Sequence, residues 1–236
     1  MKDTLGDRMK KYYENRFRLH LPRRTYTIIR LDGKAFHTVT RHLEKPFDNG
    51  LITAFRLCAQ RLVQKIQGSI FAYHQSDEIS IVLQDFANID TDAWFDGNIQ
   101  KICSVSASMF TLEFCKFYDA KYRDLIFDAR CFIIPDKEEV INYFIWRQQD
   151  WIRNSLNMLC SKYFSHEQLK NKSNEERHEL LHSKGINWND LALWLKNGSV
   201  IFKDIIFDDI IFKEQRIYMR NILNVPENIS YISRES

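Results

Sequence analysis

The stretch FAYHQSDEISIVLQ, residues 71–84, constrains the fold more than any other part of this chain. Apolar runs rich in β-branched and aromatic side chains lie on either side of Gln75, Ser76, Asp77 and Glu78. That pattern predicts a β-hairpin with strands over 69–74 and 78–84. Asn-Gly or Asp-Gly would make a tighter two-residue turn. Here the turn carries adjacent carboxylates and no glycine, so its acids are either solvated polar filler or hold a ligand, most plainly a hard cation.

The flanking sequence sets the hairpin in a larger frame. TYTIIRL (25–31) reads as a buried strand, and Asp48 is placed to cap a helix running to about Gln67. Leu51, Phe55, Leu62 and Ile66 fall near one face of that helix, and Gly68 stops it. A second helix over 98–120 has Ile102, Val105, Met109, Leu112 and Phe117 as its apolar side, and FDARCFII (127–134), closed by Pro135, reads as a fourth strand. The order β-α-β-β-α-β predicts an α+β, ferredoxin-like core. A helix over 4–18 precedes it. A long helix over 136–164 follows, opening at Asp136 with Glu138 and Glu139 in its first turn, then shorter helices and a strand at 199–203. The expected organisation is a core over 1–135, basic N-terminal helix included, with a helical extension over 136–236 packed on it as one compact unit. FDDIIFKEQRIYMRNIL, near the end, reads as a terminal helix, an interface or both.

Composition narrows the class. Apolar residues make up 44% and charged residues 28%, as in soluble globular proteins, and no apolar run is long enough to span a bilayer. The start, MKDTLGDRMKK, lacks a signal-type apolar stretch, and Asp3 and Asp7 interrupt any import segment. A cytoplasmic location is expected, with an organellar one left open. Cys58, Cys103, Cys115, Cys131 and Cys160 form no C-x-x-C pair, sit in apolar contexts and read as buried reduced thiols. His178 and His182 are spaced i, i+4 without an obvious third ligand, which reads as a surface helix face. Net charge is only +3, but residues 1–24 concentrate cations such as Arg8, Lys10, Lys11, Arg16 and Arg18 among Tyr12, Tyr13 and Phe17. Such a segment either contacts phosphates and bases or is an amphipathic helix with its aromatics packed inward.

In a ferredoxin-like sheet the first and third strands are antiparallel neighbours. The end of strand one, Leu31-Asp32-Gly33, therefore lies beside the start of strand three, Asp77-Glu78. Paired aspartates suit Mg²⁺, which takes oxygen ligands and often substrate phosphates. Gly33 would let the backbone turn sharply there. Two Mg²⁺ ions so held would activate an attacking hydroxyl and stabilise a leaving oxyanion.

RLDGKAFH (30–37), EKPFD (44–48), YHQSDEISIVL (73–83), FDARCFIIP (127–135), the WRQQD run (146–150) and GINWND (185–190) occur in an order that resembles the tRNA-His guanylyltransferase family, with its Thg1-like 3′–5′ RNA polymerases. The resemblance spans about residues 2–203. It implies a palm-like nucleotidyltransferase that adds nucleotides to the 5′ end of tRNA, with ATP, GTP and other nucleoside triphosphates as substrates, in a homotetramer. Carried over by motif, Asp32, Asp77 and the Gly33 carbonyl would hold two Mg²⁺, and Glu78 would support that site in catalysis. Lys34, Ala35, Phe36 and His37 would line the triphosphate, Lys45 and Arg130 would add positive charge to it, and Ser76 would contact the nucleotide.

The long helix offers Arg147, Gln148, Arg153 and Asn154 on a mixed face with Trp146 and Trp151, which suits either tRNA contact near the 5′ end or a core position for the tryptophans. Two departures bear on substrate. The family's His-Ile-Asn-Asn-Leu-Tyr-Asn stretch is Ile152-Arg153-Asn154-Ser155-Leu156-Asn157-Met158 here, and the glycine of its Phe-Asp-Gly-Arg is Ala129. Both point away from strict G addition to tRNA-His and towards templated repair of truncated tRNAs. Alternatives are that strict addition, a palm-type nucleotidyl cyclase acting on free nucleotides, and a catalytically silent tRNA-binding module.

Overall fold

A computed structural model describes residues 4–117 and 125–208. The chain enters through α1 (Leu5–Tyr12) and a single 3₁₀ turn (Glu14–Phe17), then runs into β1 (Tyr26–Gly33), the short α2 (Phe36–Val39) and α3 (Asn49–Lys65). The hairpin follows as β2 (Ser69–Gln75) and β3 (Glu78–Gln84), then α4 (Ile99–Phe117) and β4 (Phe127–Ile134). The sheet order is β4-β1-β3-β2, extended by β5 (Ser199–Ile201) and β6 (Ile206–Phe207), with every pairing antiparallel. The β-α-β-β-α-β order read from the sequence is therefore the order of the α+β core. Asp32 stands in register between Glu78 of β3 and Asp128 of β4.

The two faces of the sheet are buried by different helices. Ile29, Leu31, Ile79 and Ile81 pack with Phe55 and Leu62 of α3 and Phe110 and Phe114 of α4. Ile28, Tyr73 and Val82 pack instead against Val140, Ile141 and Phe144 of α5 (Lys137–Tyr163). By the two-residue period of a strand, Arg30 and Asp32 share the α5 face with Ile28, and Glu78 and Ser80 share it with Val82. The apolar pattern thus leaves a polar end to one face of the sheet. The second half of α5 makes a third cluster, Leu156, Leu159 and Cys160 with Leu169 and Leu181, which anchors α6 (His166–Leu169) and α7 (Asn174–Ser183) before α8 (Leu193–Asn197).

Helix starts follow their caps. The Asp48 carboxylate accepts from Leu51 N at 2.8 Å, and Asp136 accepts from Glu138 N and Glu139 N at 2.8 and 3.2 Å. Three expectations need correction. The N-terminal helix stops at Tyr12, and no residue of it or of the following turn is buried, so its aromatics do not pack inward. On α4, Leu112 and Phe117 are exposed, while the buried face runs through Ile102, Ser106, Phe110, Glu113 and Phe114. Two polar residues fit that face because Ser106 donates to Ile102 O at 2.6 Å and Glu113 pairs with Lys65 and Lys116. Finally, all five cysteines are free as expected, but only Cys58 and Cys160 are buried; Cys103 and Cys131 are half-buried and Cys115 is exposed. No helix among the described residues is long and apolar enough to cross a membrane. Most of FDDIIFKEQRIYMRNIL lies outside the described residues.

Candidate active site

The site is built around the hairpin. Gln75 and Glu78 close it as a strand pair, leaving Ser76 and Asp77 as the whole turn. Ser76 adopts φ +51°, a left-handed conformation that glycine would normally supply. His74 fixes that geometry: its buried ring stacks on Phe55 at 5.2 Å, and its Nε2 lies 2.9 Å from Ser76 O. Burial pushes the imidazole down to about 4, so the ring is neutral and its Nε2–H donates to the carbonyl. Asp77 follows, hydrogen-bonded by the Ser76 side chain. Burial, and next the like charge of Asp32, raise the Asp77 carboxyl above its ordinary value. The two carboxylates are thus within electrostatic reach of each other.

This donor set fits Mg²⁺. Among the described residues no three or more His, Cys, Asp or Glu side chains form a metal cage. Two carboxylates and a main-chain carbonyl suit an ion that keeps waters or takes substrate phosphate oxygens for its other positions. Gly33 contributes differently from expectation. It ends β1 in register with Phe127, and the chain turns instead at Ala35, which has φ +50°. A Cβ on Gly33 would sit 2.7 Å from Phe36 Cδ2, so the missing side chain lets the Phe36 ring lie against the backbone.

A cleft of about 590 Å³ opens between the 36–52 segment, the hairpin turn and α5. Of the residues predicted for the site, Phe36, His37, Lys45, Ser76, Asp77 and Asn154 line it. Asp32 does not line it, and meets the cleft through its neighbour Asp77. Arg130 is exposed beside the pair, 3.8 Å from Asp32 and 3.6 Å from Asp128. Lys34 and Ala35 are exposed outside the cleft lining.

Glu78 and Arg147 stand apart from the cleft. Both are about 7% exposed, and they form a two-pronged pair: Arg147 Nε to Glu78 Oε1 at 2.7 Å and Nη2 to Oε2 at 2.8 Å. Arg30 pairs with the same carboxylate. Burial pushes the Glu78 carboxyl up, and the two guanidiniums oppose it. Arg147 therefore does not present a free guanidinium to an RNA, and Glu78 does not point an unpaired carboxylate at a metal. Arg153 is exposed and held by Asp150 at 3.2 Å, and Trp146 is half exposed. Trp151 is buried, with an edge contact to Phe47 at 6.3 Å, and contributes to the cleft wall.

Sequence reasoning missed part of that wall. Asn157, Met158, Ser161 and Lys162 line the cleft with Trp151 and Asn154. Their signal was a stripe at helical spacing (151, 154, 158, 161) that mixes polar and apolar side chains.

Residues 6–135 match the profile of the family described as Thg1, tRNAHis guanylyltransferase. The tRNA(His) guanylyltransferase of Schizosaccharomyces pombe is 32% identical over 210 residues, covering 83% of this chain and 79% of the relative. A solved bacterial tRNA(His) guanylyltransferase (Thg1)-like protein in complex with ATP superposes with a TM-score of 0.88 at 42% identity, covering 93% of this chain and 99% of that one. A complex with GTP gives 0.80 at 39% identity with the same coverage. The crystal structure of the Saccharomyces cerevisiae enzyme gives 0.71 at 25% identity, over 84% of this chain and 95% of that one.

Proposed function

The chain belongs to the tRNAHis guanylyltransferase (Thg1) family and is a nucleotidyltransferase, and we propose that it extends the 5′ end of truncated tRNA in the 3′–5′ direction, with the opposite strand as template. The observation that carries this reading is Asp77 in the wall of a cleft sized for a nucleotide, with Asp32 close beside it and Lys45, His37 and Lys162 in the same wall.

Nucleotidyl transfer asks little covalent work of a protein; it asks for in-line positioning and neutralisation of phosphate charge. Two Mg²⁺ held by Asp32, Asp77 and the Gly33 carbonyl would supply most of that neutralisation and lower the pKa of the attacking hydroxyl. Lys45, on the cleft wall, and Arg130, beside the pair, would balance the triphosphate. Phe36 and Trp151 would pack on the apolar parts of a nucleotide and exclude water. In the first step a 5′-phosphate oxygen of the tRNA attacks the α-phosphorus of ATP, expelling pyrophosphate and leaving an adenylylated end. In the second, the 3′-hydroxyl of an incoming nucleoside triphosphate attacks the 5′ phosphorus of the tRNA and expels AMP. A 5′-triphosphate end would skip the first step.

Asn154, Arg153 and the exposed N-terminal arm are the proposed RNA contacts. A homotetramer is proposed from the family resemblance alone. We read residues 1–135 as the palm-like core and 136–236 as an extension packed on it; among the described residues, α5 itself buries one face of the sheet.

The test is to incubate truncated tRNAs, carrying altered opposite-strand bases, with ATP and all four nucleotides and to sequence the 5′ ends. Additions that track the opposite strand are expected. Invariant G would mean strict tRNA-His addition, and a cyclic product formed without RNA would mean a cyclase. Asp32→Ala and Asp77→Ala should each lower both steps by at least about 10²–10³-fold; full activity in either variant would remove the metal assignment.

A further inference from the structure

We infer that Arg147, reaching from α5, is a positioning residue for the Asp32–Asp77 pair, acting through Glu78 as the buried anchor of a two-arginine clamp. The inference rests on reading that pair as a metal site. Four observations carry it. Glu78 is adjacent in sequence to Asp77 and stands opposite Asp32 in the sheet, so fixing its side chain fixes the backbone that aims both carboxylates. Arg147 grips it through two parallel bonds at 2.7 and 2.8 Å, an arrangement that a planar fork makes directional as well as strong. Arg30, next to Asp32 but one, grips the same carboxylate from β1. Arg147 also donates to Asp150 at 3.3 Å, and Asp150 accepts from Asn154 at 3.4 Å, a residue that lines the cleft.

A continuous polar chain therefore runs from the metal-facing turn, through Glu78, Arg147 and Asp150, to the cleft wall. The turn needs such support. Its first residue is held at φ +51°, and its buried acid, Asp77, lies within reach of the like charge of Asp32 on β1. A clamp on the α5 face of the sheet, beside Asp32, keeps the acids in place while its own carboxylate stays engaged by the two arginines. The anchor position also accounts for the second acid after Asp77: the buried Arg147 and the partly buried Arg30 converge on one carboxylate.

The test measures Mn²⁺ alone, binding to the full chain and followed by its electron spin resonance signal, with Mg²⁺ dependence of nucleotide addition read in parallel. The wild type should bind Mn²⁺, and Asp77→Asn should abolish that binding. Arg147→Met should raise the Mn²⁺ dissociation constant about 10–100-fold, the effect typical of removing support behind a metal ligand. It should also raise the Mg²⁺ concentration for half-maximal activity, with added Mg²⁺ restoring part of the rate. Arg147→Lys, which keeps the charge and the fold but not the fork, should fall between, and serves alone if Arg147→Met does not fold. Unchanged Mn²⁺ affinity in the Arg147 variants, with activity falling only as folded protein is lost, would overturn the inference. Tighter Mn²⁺ binding in Arg147→Met would also overturn it, by showing that a released Glu78 is a ligand. Wild-type Mn²⁺ binding that ignores Asp77→Asn would remove the metal reading and the clamp with it.

Discussion

His74 shows how much one buried side chain decides at this site. Its ring is neutral because burial pushes the imidazole down to about 4, against an ordinary value near 6.5. The unfolded chain therefore binds a proton that the folded chain refuses throughout the interval between those values, and stability rises with pH across it. The contribution is complete above about pH 6.5 and is lost as pH falls towards 4, a span worth on the order of 3 kcal/mol. Urea unfolding across that range should show the slope in wild type. His74→Phe, which keeps a ring against Phe55, should flatten it, and an unchanged slope would place the titration elsewhere. Asp32 and Asp77 were legible from residue type and strand order alone. The roles of His74 and Gly33 were not: one depends on the left-handed Ser76 and the other on the Phe36 ring packed against a backbone atom. Such contacts leave no periodic trace in a sequence.

At the scale of elements, caps were easy to read and buried polar faces were not. Asp48 and Asp136 announce their helices because a carboxylate at that position satisfies backbone N–H groups with no other partner. Asp136→Ala should cost about 1 kcal/mol, seen as a drop of roughly 2–4 °C in Tm, with the carboxylate pair on the far part of the sheet undisturbed. Nucleotide binding should therefore survive in the variant at a temperature where it is folded. The face of α4 was misread for the opposite reason. A tally of apolar residues turns Leu112 and Phe117 inward, but Glu113 reaches the interior because Lys65 comes from another helix to meet it. The same blindness hid the Glu78–Arg147 pair, since no local pattern marks two charges, distant in sequence, that will be buried together.

For the molecule as a whole, the net charge of +3 conceals where the cations lie. The arm formed by α1 and its following turn has no buried residue and exposes Tyr13 at 63% and Phe17 at 74%, among Arg8, Lys10, Lys11 and Arg16. Of the two readings open in the sequence, inward packing does not occur among the described residues, which leaves phosphate and base contact as the reading to test. Phosphate contacts and base contacts by such an arm separate experimentally. Lys10→Ala with Lys11→Ala should weaken tRNA binding for all sequences alike, and should reduce the slope of log K against log salt by about 1–2, because each lost contact releases fewer counterions. Phe17→Ala should leave that slope alone and lower affinity by about 1–3 kcal/mol if the ring stacks on a base. Binding measured over a salt series decides both. Wild-type slope and affinity in the lysine variant would mean that the arm's charge serves some surface other than tRNA, and would leave recognition to the cleft wall on α5.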